Sequence, residues 1–484
     1  MREVMTNIKN IGVAGVTGFW LLTCASCAVT EAPESKLGDV IDMADAAGGH
    51  WTATNEGRSG VDRAWVKRFQ DSKLEELVNE ALVRNADMRV AAENVKQAKQ
   101  TARLAGASSR VMANAGLSAD RQRINFIGLP FGGSQTSSTH ALNLNVDWEP
   151  DVWGRVGAGV SAAVADMQAV ESETQAAQAS LIASLCRAWF NLCEANEQLE
   201  LAEEAHGIRV KTLEAVRDRF ELALQDEGGG ASELRLAETD VATALAHKAQ
   251  RRGEVEAAQR QVELLVGRYP SADVAGHLKL PAVPKRPPAG LPSELLMRRP
   301  DILAAERRYA ATTARITEAR RAVFPVFNLT GSAGTSTESL SQILKSNFGV
   351  WSIGSSLTQS ILTGGRVKGE IQRRSSIERQ ALAQLQSTVL GAFGEVESAL
   401  AADKWLAKRI IETRKAQKLA EEAAEASEED FSLGHVNLVT VLTAKNRKID
   451  IASQVVLLRR LQLENRVNLH LALGGEFKTQ SRVK

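Results

Sequence analysis

The chain has 484 residues, and its 59 basic and 58 acidic side chains leave a formal net charge of +1 at pH 7. This balance, with no block of like charge, gives no basis for a nucleic-acid partner. Aromatic residues make up only 5 % of the chain, whereas alanine, leucine, glutamate, glutamine and arginine dominate long stretches. Such a composition is unusual for a globular enzyme and favours long helices packed through small residues.

The N-terminus predicts a signal peptide over residues 1–26. The apolar stretch from Ile11 to Leu22 is too short for a membrane-spanning helix and has the length of a secretory signal core. Cys27 directly follows the small residues Ala25 and Ser26, which resembles the pattern of a lipoprotein whose mature N-terminal cysteine is acylated. We therefore expect a covalent lipid on Cys27, and an ordinary cleaved signal without acylation is the alternative.

The rest of the chain repeats itself once, with a period of about 210 residues. Asn85–Met88 matches Arg299–Ile302, and Trp153–Val156 matches Gly364–Val367. Each copy predicts, in order, a helix, a pair of strands, a very long helix, a break and a further helix. The predicted segments are an extended N-terminal segment over 27–72, the first repeat over 73–280, a proline-rich linker over 281–290, the second repeat over 291–476 and a tail over 477–484.

Alternating apolar and polar residues indicate the strands. Between His140 and Trp148, Leu142, Leu144 and Val146 point to one face and the intervening polar residues to the other. A period of two gives each strand one apolar and one polar face. The apolar face could cover the core of a soluble sandwich. Alternatively it could contact lipid while the polar face lines a lumen, for which a strand length of about 9 to 11 residues is suited.

The helices that follow the strand pairs are predicted to be unusually long. No proline interrupts the chain from Arg155 to about Leu222, which predicts a helix of roughly 100 Å at 1.5 Å per residue. Apolar residues at spacings of three and four form a coiled-coil seam on each long helix. These seams are Leu181, Leu185, Ala188 and Leu192 in the first repeat, and Leu385, Val389, Phe393, Val396 and Leu400 in the second.

Two strand pairs give four strands in each chain, which are too few for a closed barrel. The smallest transmembrane barrels have about eight strands, and lipid does not tolerate open sheet edges. If the strands lie in a membrane, several chains must share one barrel, and three chains would supply twelve strands. The sequence thus predicts an internally duplicated α+β fold, which would be a membrane protein if the apolar strand faces contact lipid.

We find no constellation of residues that is typical of an enzyme. The seven histidines are scattered without metal-ligand spacing, and the glycine run Gly228–Gly230 lacks the lysine of a phosphate loop. Cys186 and Cys193 would share one helix face without bridging each other, so we interpret them as small buried apolar residues. We expect no enzymatic activity, no metal site and no cofactor apart from the lipid on Cys27.

Three motifs together resemble the outer-membrane efflux (TolC-like) family, in its lipoprotein branch of NodT-type channels. They are Pro292–Ile302, which contains Leu-Leu-x-Arg-Arg-Pro-Asp-Ile, Asp147–Arg155, which ends in Trp-Gly-Arg, and the C-terminal Leu471–Gly475. The resemblance implies a homotrimer in the outer membrane, with a twelve-strand β-barrel continued by a long periplasmic α-helical barrel. It also implies docking to a periplasmic adaptor (membrane fusion) protein and to an inner-membrane pump of the resistance-nodulation-division class.

The motif residues also have a physical interpretation. Pro300 cannot continue a helix but can begin one, and Asp301 suits the positive dipole at that N-terminus. Phe324–Pro325 predicts the end of a helix and the start of a strand, and Gly154 lies where a strand turns into a long helix. We interpret the whole set as architectural rather than catalytic: Arg299, Pro300, Asp301, Phe324, Pro325, Gly154 and Gly365.

The resemblance places the narrow periplasmic end of the channel at Asn437–Thr443. Relatives carry acidic residues near here, whereas this chain has Thr440 and Thr443, and Val439 matches an apolar constriction residue. We predict an aperture lined by apolar and hydroxyl groups, with little cation selectivity, and plain helix packing is the alternative. A flexible insert around Gly228–Gly230 distinguishes the corresponding turn of the first repeat.

The sequence therefore favours a passive export channel in a tripartite efflux complex. The alternative is a periplasmic adaptor of such a complex, which would show one helical hairpin inserted into a small β-domain. Two copies of a strand pair with long helices favour the channel, and a diffusion porin would need many more strands in each chain.

Overall fold

The computed structural model describes residues 32–38, 51, 65–125, 133–223, 231–288 and 295–475. The predicted signal peptide, Cys27, the insert at Gly228–Gly230 and the tail over 477–484 lie outside the described residues. The helices are α1 (Ser72–Arg84), α2 (Ala86–Ala107), α3 (Arg155–Ala223), α4 (Ala231–Val266), α5 (Pro300–Arg321), α6 (Arg366–Ser432) and α7 (Leu438–Ala472).

The helices of the two repeats correspond closely in length. α2 and α5 have 22 residues each, α3 and α6 have 69 and 67, and α4 and α7 have 36 and 35. The predicted helix from Arg155 to about Leu222 is confirmed as α3, which is about 100 Å long at 1.5 Å per residue. Among the described residues, none of the helices combines the length and the apolarity that crossing a bilayer requires.

The strands form one antiparallel sheet in the order β1-β2-β3-β4. They are β1 (Met112–Asn125), β2 (Ser134–Trp148), β3 (Val326–Thr337) and β4 (Gly349–Thr358). β1, β2 and β3, with 14, 15 and 12 residues, are longer than the predicted 9 to 11. The two repeats meet at β2 and β3, whose register runs from His140 opposite Thr337 to Trp148 opposite Leu329.

One face of the sheet is apolar and exposed. The register places Leu117 opposite Leu142, on the face that the alternation of β2 predicted. On β4 the apolar residues are Trp351, Ile353 and Leu357, which are 77 %, 82 % and 64 % exposed. A soluble sandwich would cover such a face, and none of the described residues does so.

The chain divides into two compact units, each of which takes segments from both repeats. The strand unit comprises Met1–Lys36, Val95–Val170 and Ala305–Leu385, and the core unit comprises Leu37–Asn94, Glu171–Ala304 and Gln386–Lys484. The strand unit contains the sheet and the helix segments that adjoin it.

The core unit contains the main apolar cluster. It gathers side chains of α1, α3, α4 and α7, and its largest fully buried members include Trp65, Trp189, Phe69 and Phe190. Cys186 and Cys193 belong to this cluster and are fully buried, as the sequence predicted. The predicted seams also point inward: Leu185, Leu192, Val389 and Val396 are all 0 % exposed.

Candidate functional site

The predicted site residues fall on three kinds of structure. Arg299, Pro300 and Asp301 lie where α7 ends and α5 begins, and Gly154 and Gly365 lie at the turns from strand into long helix. The predicted aperture residues lie at the start of α7.

Arg299 joins the end of α7 to the start of α5, a contact that we call the second splice. Its Nη1 donates to the carbonyl of Ala472, the last residue of α7, at 3.1 Å and to Glu395 of α6 at 2.6 Å. Its Nε and Nη2 donate to the two carboxylate oxygens of Asp301 at 3.0 and 2.7 Å. Pro300 is the first residue of α5, where its missing N–H leaves no donor unsatisfied.

The second splice depends on a nearly buried charge. Arg299 is 7 % exposed, whereas the side chains of Asp301 and Glu395 are 39 % and 57 % exposed. Burial lowers the pKa of the Arg299 guanidinium, but hydrogen bonds and charge attraction to Asp301 and Glu395 raise that pKa overall. The guanidinium therefore stays charged, and its planar fork satisfies a helix-end carbonyl and two carboxylates together.

The first repeat makes the same joint with a different side chain. The Nδ2 of Asn85 donates to the carbonyl of Leu265, close to the end of α4, at 2.9 Å. Its Oδ1 accepts from the backbone N–H groups of Asp87 at 2.9 Å and Met88 at 3.2 Å, which caps α2. We call this contact the first splice. Sequence reasoning did not single out Asn85, although its repeat match with Arg299 is the signal that marks it.

A glycine with a left-handed backbone follows each of the two helices that end at a splice. Gly267 has a φ of +86° and Gly474 a φ of +71°. A Cβ on Gly267 would lie 2.8 Å from the carbonyl oxygen of Arg84, and one on Gly474 would lie 3.1 Å from the carbonyl carbon of Arg298. Glycine thus permits both the turn and the close approach of the next helix.

The turn from β2 into α3 is closely packed. Gly154 has a φ of +71°, and its carbonyl accepts from Nη1 of Arg321 at 2.7 Å. Trp153 stacks on Phe324 with the ring centroids 5.2 Å apart, and its Nε1 donates to the carbonyl of Pro325 at 2.8 Å. The structure therefore brings together Gly154, Phe324 and Pro325, which are far apart in the sequence.

The corresponding turn from β4 into α6 is open. Gly364 and Gly365 have φ values of +59° and +85°. Within the described part of the chain, a Cβ added to either glycine would have no neighbour within 4 Å. Both turns use a left-handed glycine, but only the first is packed against the other repeat.

The predicted aperture residues lie in the first turns of α7. The Oδ1 of Asn437 accepts from the backbone N–H of Thr440 at 2.9 Å and from its hydroxyl at 3.0 Å. The hydroxyl of Thr443 donates to the carbonyl of Val439 at 2.7 Å. Val439 is 60 % exposed, and both threonines are exposed. This surface therefore presents one apolar side chain and two hydroxyl oxygens whose protons are bound locally.

The turn that leads from α6 into α7 is held on two sides. Gly434, with a φ of +79°, reverses the chain, and Lys445 of α7 pairs with Glu428 of α6 at 2.6 Å. The guanidinium of Arg219 lies 4.1 Å from the ring centroid of Phe431. This contact joins the end of α3 to the end of α6, so equivalent positions of the two repeats meet.

The described residues give no indication of a metal site or a reactive thiol. Within the described ranges, no group of three or more histidine, cysteine, aspartate or glutamate side chains could hold a metal ion. Burial raises the pKa of the Cys193 thiol to about 12 and that of Cys186 further. Neither thiol is therefore available as a nucleophile at neutral pH.

The comparisons with known proteins agree on one family. A family model described as outer membrane efflux protein matches residues 77–268 and 291–475. The toluene efflux pump outer membrane protein TtgF of Pseudomonas putida is 30 % identical over 416 residues, which cover 85 % of each chain.

Two solved structures extend this similarity to the fold. The outer-membrane channel OprN has a TM-score of 0.81 and 26 % identity, and the match covers 88 % of this chain and 96 % of that one. The open state of the Neisseria gonorrhoeae MtrE outer membrane channel has a TM-score of 0.79 and 28 % identity, with 93 % and 98 % covered.

Proposed function

Because the chain belongs to the outer membrane efflux protein family, we propose that three copies close one twelve-strand β-barrel in the outer membrane. In this proposal the barrel continues into the periplasm as a tube of long helices. The chain itself is an outer-membrane channel subunit of an efflux system. This excludes the adaptor alternative, and the family is one of channels rather than of enzymes.

The single observation that carries the proposal is the open, one-sided sheet. In the order β1-β2-β3-β4, β1 and β4 each have one edge without a strand partner in the described chain. Lipid does not tolerate unpaired backbone N–H and carbonyl groups, so the edges require strands from further copies. The exposed apolar face, with Ile353 at 82 %, suits lipid, and the polar face suits a lumen.

The splices support the helical part of the proposal. They hold α4 against the start of α2 and α7 against the start of α5, so that two shorter helices follow one another end to end. The long helices α3 and α6 carry narrow buried seams, and helices of this kind need neighbours. In a trimer, the neighbours at the outer flanks would come from adjacent copies.

We further propose that Val439, Thr440 and Thr443 line the periplasmic aperture and give it little cation selectivity. The exposed isopropyl group of Val439 and the two exposed threonines, without an acid among them, support this role. The double variant T440D/T443D would place six carboxylates around a trimeric opening. Its reversal potential in a salt gradient across a planar bilayer should shift towards cation selectivity, and an unchanged potential would remove these residues from the aperture.

The proposed partners are a periplasmic adaptor and an inner-membrane pump of the resistance-nodulation-division class, which supply the energy for passage through a passive duct. A lipid on Cys27 would anchor the N-terminus in the same membrane. Metabolic labelling with an alkyne palmitate, compared between the wild type and C27S, tests the acylation. Label that persists in C27S would assign the lipid elsewhere.

The decisive experiment measures the mass of the protein extracted from the outer-membrane fraction in detergent, followed by conductance in planar bilayers. A particle of about three times the mass of the mature chain that conducts ions supports the shared barrel. A monomer that stays soluble without detergent contradicts it, since four strands cannot close a barrel alone.

A further inference from the structure

Two arginines end the apolar face of β1. The residues that alternate with Leu117 on this face continue to Arg121 and Arg123, which pair with Ser138 and Thr136 of β2. All of β1 is exposed. Towards the β1–β2 turn, the face therefore changes from apolar to cationic with hydroxyl groups beside it.

Strand geometry places the arginines at the outer edge of the apolar band. From Ala113 to Arg123 the strand advances by about 33 Å at 3.3 Å per residue. With a tilt of about 40°, this is about 25 Å along the membrane normal, which is the height of the apolar band of a membrane barrel, and Arg121 lies about 5 Å below Arg123. Since α2 and α3 adjoin the opposite end of the hairpin, the arginines lie at the extracellular edge. Arginine is tolerated at such an interface but not at the midplane.

The acid nearest in sequence does not neutralise these charges. Asp120 pairs with Thr139 and points to the opposite face of the sheet. The Nη2 of Arg123 donates to Oγ of Ser134 at 2.5 Å, which orients the guanidinium, and among the described residues its charge has no acidic partner. Arg121 makes no hydrogen bond or ion pair with the part of the chain that the structure describes.

We propose that Arg121 and Arg123 bind phosphate groups of anionic lipid headgroups in the outer leaflet. Guanidinium groups match phosphate oxygens in bidentate geometry, and basic side chains at a membrane surface are attracted by anionic lipids. The inference rests on the proposed barrel, which sets the depth of β1 in the membrane. A trimer would carry three such sites around its rim.

The test uses the full-length protein in phosphatidylcholine nanodiscs with or without diphosphoryl lipid A, and native mass spectrometry counts the bound lipid. Wild-type protein should retain lipid A. The double variant R121Q/R123Q should bind it about thirtyfold more weakly, or about fivefold for each arginine. Equal binding by both proteins would overturn the proposal. So would complete displacement of lipid A by inorganic phosphate, because the site would then recognise free phosphate.

A matched control separates position from net charge. R121Q/Q122R/R123Q returns one arginine to β1 on the opposite face, because neighbouring residues point to opposite sides of a strand. It should bind lipid A as weakly as R121Q/R123Q, and binding about fivefold tighter than that would show that only net charge matters. If the double variant fails to assemble, the single variants R121Q and R123Q replace it, each with an expected loss of about fivefold.

Mass and conductance on the same preparations separate the two proposals. A wild-type protein that is not a conducting trimer contradicts the proposed function. Conducting trimers with unchanged lipid binding in R121Q/R123Q contradict only the lipid site. Glu338 is an exposed acid that directly follows β3, at the same end of the sheet as the arginines. If E338Q weakens trimer assembly as much as R121Q/R123Q does, the arginines pair with this acid of a neighbouring copy, and the lipid proposal is overturned.

Discussion

The first and second splices connect helices at equivalent positions of the two repeats, but they use different chemistry. In the first, the neutral amide of Asn85 donates to one helix end and accepts from the other. In the second, the charged Arg299 reaches a helix-end carbonyl and two carboxylates. In both repeats, the polar backbone groups of two abutting helix ends must find hydrogen-bond partners. The two repeats use different side chains for this purpose.

The surroundings of the two splices differ in the same direction. The first borders the apolar cluster to which α1, α3 and α4 contribute, including Val266 at 0 % exposed. Near the second, α6 and α7 are joined by polar contacts: Arg466 pairs with Asp403 at 2.9 Å, and Asn465 donates to the carbonyl of Ala399 at 2.9 Å. Apolar side chains are also buried at the second splice, including Ile302 at 0 % and Leu473 at 1 % exposed, so the polar contacts between α6 and α7 act there in addition to apolar burial.

The largest effect is expected from R299A. Breaking a buried pair leaves Ala472 without its donor and two carboxylates without their partner, so the free energy of unfolding should fall by about 3 kcal/mol. This value is at the lower end of the range for buried ion pairs, because Asp301 and Glu395 are partly solvated. The midpoint of denaturation of the detergent-solubilised protein, followed by far-UV circular dichroism, measures it. The control R235A removes a largely exposed ion pair with Glu238 and should change little.

The next effect is expected from N85A, at about 2 kcal/mol in the same measurement. It removes a helix cap and the donor to the carbonyl of Leu265, each of which contributes about 1 kcal/mol. N85D keeps the capping acceptor but turns a carboxylate oxygen towards the carbonyl oxygen of Leu265 in place of the donor, so it should not recover the stability of the wild type. If N85A lowered the free energy of unfolding as much as R299A does, the proposed difference in strength between the two splices would be wrong.

Substitutions at the two strand-to-helix turns should also differ in their effect on stability. G154A introduces left-handed strain of about 1–2 kcal/mol, and its Cβ would meet Nη1 of Arg321 at 2.6 Å, which displaces a hydrogen-bonded side chain. G365A introduces the same strain of about 1–2 kcal/mol without a displaced side chain. In thermal denaturation, the melting temperature of G154A should therefore be lower than that of G365A. Equal losses would show that Arg321 adjusts without consequence.

A smaller effect depends on pH and concerns Glu80 of the first repeat. Hydrogen bonding and charge attraction to Arg268 hold the pKa of Glu80 below its ordinary value of 4.5. A depressed folded-state pKa contributes stability that is present above the ordinary value and is lost as the pH falls through the depressed value. E80Q should thus lower stability by about 1 kcal/mol at neutral pH. A denaturation series should show this difference shrinking below pH 4.5, and a constant difference would mean that the ion pair is not its source.

The two buried cysteines report local opening of the first repeat. Using them requires no substitution at the cysteines, so the probe itself leaves the stability unchanged. Cys186 and Cys193 belong to the apolar cluster beside the first splice, and their raised pKa values keep the thiols unreactive. Maleimide labelling, mapped to each cysteine by peptide mass, should be negligible in the wild type. N85A should accelerate labelling more than R299A does, and the reverse order would show that the splices do not open separately.

Local patterns in the sequence predicted much of the architecture. The absence of proline after Arg155 defined the longest helix, the alternation through Leu142 and Leu144 defined the faces of β2, and the repeat defined the order of elements. These signals involve neighbours within a few turns or a few residues along the chain. Arg299, Pro300 and Asp301 were recognised because their motif is distinctive, and Pro300 does begin a helix.

The joints themselves could not be predicted in the same way. The bond from Arg299 to Ala472 spans 173 residues, and the bond from Asn85 to Leu265 spans 180. The periodicity of the sequence does not indicate contacts between residues so far apart. An asparagine before a helix predicts a cap, but it does not predict that a second helix ends against it. The dense packing around Gly154 likewise depends on Arg321 and Phe324, which lie in the other repeat.

The pairing of β2 with β3 also has a consequence for how the protein is made. β1 and β2 can pair as soon as their hairpin has been delivered, but the partner of Trp148 is Leu329, about 180 residues later in the chain. At roughly 5–20 residues per second, that interval is about ten to forty seconds. Throughout it the hairpin carries an unsatisfied edge and an apolar side, which is the combination that promotes aggregation. Shielding of the first hairpin until the second arrives would therefore reduce aggregation during the biogenesis of this chain.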